Sequence, residues 1–129
     1  MADQAKLYDA GVAAFFQRDM SWDGGDTTYR AYLMKSGYKF SRSHTLADIT
    51  KFINGTTDPL STSSDGTQGY AEAAHVLADN EAQCNKIVVC SSSRVPVACS
   101  PIDTVTPLKG QRVDLSWPGG LVFDLYPAD

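Results

Sequence analysis

At 129 residues with 43% apolar side chains, the chain has the length and composition of one domain able to bury a real core. Eleven Lys and Arg stand against fifteen Asp and Glu, a net charge of −4, and the cations are scattered singly, which excludes the basic face that displaces counterions from nucleic acid. No apolar run approaches the roughly 20 residues of a membrane span, and the opening MADQAKLYDAG lacks the basic-then-apolar succession of a signal peptide, so neither a membrane nor export by that route is expected.

Residues 3–18, DQAKLYDAGVAAFFQR, read as one helix, with Leu7, Tyr8, Gly11, Val12 and Phe15 on a stripe expected to dock on the protein's own sheet. Asp3 and Arg18 suit its two ends, and Gly11 costs about 1 kcal/mol against Ala unless a neighbour packs closely there. The aspartates of 21–28, SWDGGDTT, read as a tight turn, since the alternate oxygen ligands and distal Glu of an EF-hand calcium loop are missing. In 28–35, TYRAYLMK, Tyr29, Ala31 and Leu33 face one way and Arg30, Tyr32 and Met34 the other. A strand with bulk on both faces is expected in mid-sheet. Ser36-Gly37 turns the chain, Tyr38 and Phe40 continue extended, and 43–55 is expected to be a short helix capped by Ser43 and stopped by Asn54-Gly55.

Residues 56–69, half Ser and Thr, read as a surface loop whose removal over 58–66 should leave the domain folded. Residues 70–80 fit helix or strand. Four β runs follow, at 85–91, 94–103, 111–117 and 121–126, and Pro96 marks an edge or a bulge. Val113, Leu115 and Trp117 alternate with polar residues, and Leu121, Phe123 and Leu125 repeat the period. Pro118-Gly119-Gly120 is thus expected to close a hairpin with Trp117 and Phe123 buried on facing strands. The fold expected is mainly β with an N-terminal helix (α+β), a single antiparallel β-sandwich domain over 1–129, of which a jelly roll is one form.

Residues suited to chemistry are sparse. Cys84, Cys90 and Cys99 are odd in number, lack C-x-x-C spacing, and are expected to be reduced, packing as small apolar residues. A zinc site joining them to His44 or His75 matches no tight ligand spacing. There is no G-x-S-x-G, H-E-x-x-H or P-loop, and the carboxylates occur singly. A Ser–His or Cys–His pair assembled in space stays open. No catalytic, cofactor-binding or metal residue is assigned, and the chain is not expected to be an enzyme.

Two stretches together resemble a family of small virion structural proteins of tailed bacteriophages. In the first, 6–49, they are the Leu7-Tyr8 pair opening a helix, the turn at Ser21–Asp26, the strand Tyr29–Met34, the Ser36–Phe40 turn and the segment His44–Ile49. In the second, SPIDTVTPLKGQRVDLSWPGGLVFDLY at 100–126, Trp117 and Gly119-Gly120 fall in the family's closing pattern. Arg30, where the family favours an apolar or small residue, and the three cysteines depart from it. The resemblance implies a β-rich virion component, assembled in the host cytoplasm and without catalytic residues. A capsid decoration (cement) protein bound outside the major capsid protein lattice comes first, and a head–tail connector or tail component touching neck or tail proteins second. A homo-oligomer is expected, a trimer among the options, with 56–69 and 104–110 as contact elements. A small intracellular enzyme or carbohydrate-binding module with its site in 56–69 is the competing reading.

Overall fold

A computed structural model describes residues 5–17, 20–22, 27–65 and 68–125. In chain order, strand β1 (Lys6–Leu7) leads into helix α1 (Asp9–Phe16), strand β2 (Tyr29–Lys35) and helix α2 (Leu46–Thr50). Strands β3 (Ile53–Thr56), β4 (Thr62–Asp65), β5 (Gln68–Ala71) and β6 (Ala74–Leu77) precede β7 (Cys84–Ser91), β8 (Pro96–Val105), β9 (Arg112–Leu115) and β10 (Leu121–Asp124).

Strands apolar on both faces belong inside a sheet covered on both sides. β7 and β2 take those places in an antiparallel sheet of order β1-β8-β7-β2-β3. Tyr29, Ala31 and Leu33 of β2 join Ile87, Val89 and Val97 in one core, while Met34 joins Val88, Cys90 and Cys99 on the opposite face. The alternation read from 28–35 is therefore observed. Two small antiparallel sheets, β10-β5-β4 and β6-β9, close the first core with Ala71, Val76, Leu115, Val122 and Phe123. Tyr38 and Ile49 from 36–52, with Tyr8, close the second. Each fully buried side chain of this size stabilises by roughly 1.5–3 kcal/mol, so the stacked layers hold the fold. The chain is mainly β and antiparallel, with one helix near its N-terminal end, as the patterning predicts.

Within that class, local expectations change. The helix starts at Asp9 and not at residue 3, because Lys6 and Leu7 pair with Cys99 and Ala98, and the Tyr8 N–H donates to the Val97 carbonyl at 3.0 Å. Asp3 and Arg18 lie outside the described residues. Gly11 is explained by packing: a Cβ there would sit 2.7 Å from the Pro96 oxygen and 2.8 Å from Val97 Cα, so only glycine lets α1 rest on β8. α2 is capped by Thr45 and not Ser43, the Asp48 carboxylate accepting the Thr45 N–H at 2.9 Å. Asn54-Gly55 does not stop a helix; it lies inside β3, where Asn54 is fully buried.

Residues 56–69 are not a plain loop. β4 pairs with β5 residue for residue, Leu60 packs against the first core, and the Leu60 N–H donates to the Tyr29 carbonyl at 2.7 Å. Removing 58–66 would therefore damage the fold. Residues 70–80 complete β5 and form β6, both extended. A bulge does fall at Pro96, where the β7–β8 register slips between Val89 and Cys90. The expected terminal hairpin is replaced by a crossing between sheets: β9 pairs with β6, β10 with β5. Gly119 (φ 62°) and Gly120 (φ 77°) still supply a tight turn, yet that turn carries the chain from one small sheet to the other. Trp117 and Phe123 are buried in the first core, though not on facing strands.

Candidate functional site

The titratable residues singled out by sequence are mostly taken up in packing. His44 Nδ1 lies 2.9 Å from the Tyr38 hydroxyl, which lies 2.6 Å from that of Tyr8. Burial pushes the Tyr38 hydroxyl up to about 12, and burial, with the Cys99 thiol beside it, pushes Tyr8 up as well. Both hydroxyls stay protonated at neutral pH and rivet segment 36–52 to the start of α1. His75 is exposed on β6 opposite Asp114, beside a shallow polar cleft lined by Thr56, Asp58 and Asp79.

The structure does not bring the three thiols together. Cys84 lies in the first core, where Asn54 Nδ2 points at its sulfur from 3.6 Å, whereas Cys90 and Cys99 lie in the second. Burial pushes Cys90 up to about 12 and Cys99 up to about 11, the latter against the hydrogen bond from Tyr8, and burial raises Cys84 too. A protonated thiol is a poor nucleophile and a poor metal ligand. Among the described residues, no three of His, Cys, Asp and Glu converge where they could hold a metal. Asp23 and Asp26, considered for calcium, lie outside the described residues. No described helix is long and apolar enough to cross a membrane.

The surface is more informative. Leu7, Val12 and Ala13 form one wall of a groove of about 460 Å³ and Phe40 the other, with the Asp9–Arg42 ion pair (2.9 Å) at the rim. The Asp9 N–H donates to the Arg42 carbonyl at 2.8 Å, fixing the two walls to each other. Phe40 also lines a smaller pocket of about 110 Å³ with Lys6, Lys86 and Pro101, and Lys6 Nζ stands 5.8 Å from the Phe40 ring centre. The stripe read on residues 3–18 thus divides: Gly11 and Phe15 meet the sheets and Tyr8 the second core, Leu7 packs against the first core and lines the groove as well, and Val12 lines the groove. Val12 belongs to that stripe without joining either core, and this is the sequence trace of the groove. Nothing in the sequence marks Phe40, Arg42 or Lys86 as their partners.

Both expected contact elements are at the surface. β4 is the last strand of its sheet, and Ser63, Ser64 and Asp65 are exposed. In 104–110, Pro107 is buried and the Gly110 N–H (φ 81°) donates to the Ala78 carbonyl at 2.7 Å, so the turn holds Leu108 out, 60% exposed. Comparison with family models, curated proteins and solved structures finds no match for the chain.

Proposed function

We propose that this chain is a structural protein of a tailed-bacteriophage particle, a capsid decoration protein seated on the outside of the major capsid lattice. The supporting observation is where the phage-like motifs fall in the fold. Leu7-Tyr8 joins β1 to α1, Tyr29–Met34 belongs to an interior strand of the sheet, and Ser36–Phe40 with His44–Ile49 closes the second core. Trp117 and Gly119-Gly120 make the crossing between the small sheets. The described residues that resemble the family thus fall on the sheets and on both cores, around a central strand, β7, that lies outside the two stretches. His44 and cysteine side chains engaged in packing, beside exposed rigid turns and strand edges, suit a part that binds a repeated surface. Immunogold labelling of purified particles with antibody against this chain tests the placement. Label over the head surface is the expected result; label confined to the neck or tail, or none on the particle, rejects it.

A further inference from the structure

In a chain of net charge −4, the pocket that adjoins the groove beside α1 is cationic. Lys6 and Lys86 line that pocket, while the groove's own rim carries Arg42 ion-paired with Asp9 at 2.9 Å. Neither Lys6 nor Lys86 forms an ion pair with a described residue. The far margin of the domain is acidic on balance: Arg112, opposite Leu77, is ion-paired with Asp114, and exposed Lys109 stands against Asp58, Asp79 and Glu81. Leu77, at the end of β6, is 60% exposed and is followed by exposed Asp79 and Glu81, neither ion-paired with a described residue. Leu108 stands on the turn tied to Ala78, the residue after Leu77.

This acidic corner is rigid. Buried Asn54 donates from Nδ2 to the Asn80 carbonyl and accepts the Asn80 N–H on Oδ1, each at 3.0 Å, and the Asp79 N–H donates to the Asn54 carbonyl at 2.9 Å. Asn54 belongs to β3, while the groove adjoins β1. These are the two edge strands of the five-stranded sheet, four strand spacings or roughly 19 Å apart.

We infer that the groove is occupied by the Leu77–Glu81 corner of a second copy of this chain, head to tail. Leu77 enters between Val12, Ala13 and Phe40, while Asp79 and Glu81 face Lys6 and Lys86. Two acidic chains repel in most orientations, and this pairing sets opposite charges against each other around an apolar contact. Both surfaces are held by hydrogen bonds before they meet, so little ordering opposes the contact. Head to tail, each groove takes the corner of the next copy, so the contact is heterologous and propagates to a ring or a filament. A wild type that stops at a dimer would mean reciprocal exchange across a two-fold axis and would overturn this arrangement. The association belongs to the isolated chain and does not depend on where a particle holds it.

Sedimentation velocity on the full chain tests it, over a range from about 10 µM to about 1 mM that brackets a weak interface. Two variants at exposed positions block one patch each: Ala13→Glu the groove, Leu77→Lys the corner. The wild type should form larger species as concentration rises, less so at high salt. Each variant should stay monomeric while keeping the wild-type circular dichroism and unfolding transition. An equimolar mixture of the two should form dimers and nothing larger, since one intact groove and one intact corner remain. A wild type that stays monomeric, a folded variant that still associates, or a mixture that stays monomeric overturns the pairing. In those cases the groove takes another partner or none, or a patch meets itself.

Discussion

Replacing Gly11 by alanine sets two effects of opposite sign against each other. In an ordinary helix position, Gly→Ala stabilises by about 1 kcal/mol, through helix propensity and a less flexible unfolded chain. Here the new methyl would lie 2.7 Å from the Pro96 oxygen and 2.8 Å from Val97 Cα, both backbone atoms of β8 that cannot swing aside. Relief requires α1 to retreat by several tenths of an ångström, which loosens Ala14 and Phe15 against the first core. Overpacking of this kind costs about 1–3 kcal/mol, and a buried backbone contact with no rotamer escape belongs at the upper end. The clash wins, and Gly11→Ala should lose about 1–2 kcal/mol net, a fall of several degrees in Tm for a domain this size. Urea unfolding with a constant m-value is the assay. Ala13→Gly, on the exposed side of the same helix, is the control, expected to lose about 1 kcal/mol through propensity alone. If Gly11→Ala unfolds at higher urea than the wild type, the close packing of α1 on β8 is wrong.

Phe123, 4% exposed, stacks on Phe15 (5.4 Å between ring centres) and meets the Trp22 ring edge-on at 4.9 Å. Phe123→Ala should therefore cost about 3–5 kcal/mol, and a shift no larger than a surface variant's would refute the core assignment. Cys84, Cys90 and Cys99 should resist alkylation at neutral pH in the native protein and react together once urea unfolds it; a native-state reaction as fast as the unfolded one contradicts their burial. The thiol of Cys90, ordinarily at 9.0, is held up to about 12, and the Tyr38 hydroxyl, ordinarily at 10.0, also up to about 12. Raised values favour the fold while the groups stay protonated. That stability is full below pH 9 and drains between pH 9 and 12, so the urea midpoint should fall across that window, and a flat profile there would count against it.

Patterning along the chain carries most of the fold class and less of the topology. Alternation at 28–35 announces a strand buried on both faces because each face must find its own core, and both cores exist. The same kind of signal at 112–117 and 121–126 reports which side chains turn inward. It carries no information on which strand lies alongside, so β9 and β10 look like one hairpin while pairing with β6 and β5. β4 escapes because its strand is held by backbone bonds to β5 at an exposed edge, and its Ser and Thr side chains leave no apolar trace. Leu7 and Tyr8 satisfy helical spacing, but sheet pairing and a place in the second core win. The candidate site was half legible: Leu7 and Val12 belong to a visible stripe, whereas Phe40 and Arg42 reach the groove, and Lys86 the pocket beside it, only through tertiary packing.

Quantifying this chain against the major capsid protein in purified particles, by stained gel or mass spectrometry, is the most direct test of the structural role. A decoration protein on a repeated lattice should be present in on the order of hundreds of copies. About six or twelve copies would place it in a connector or tail ring instead, and absence from the particle would contradict the account at its root.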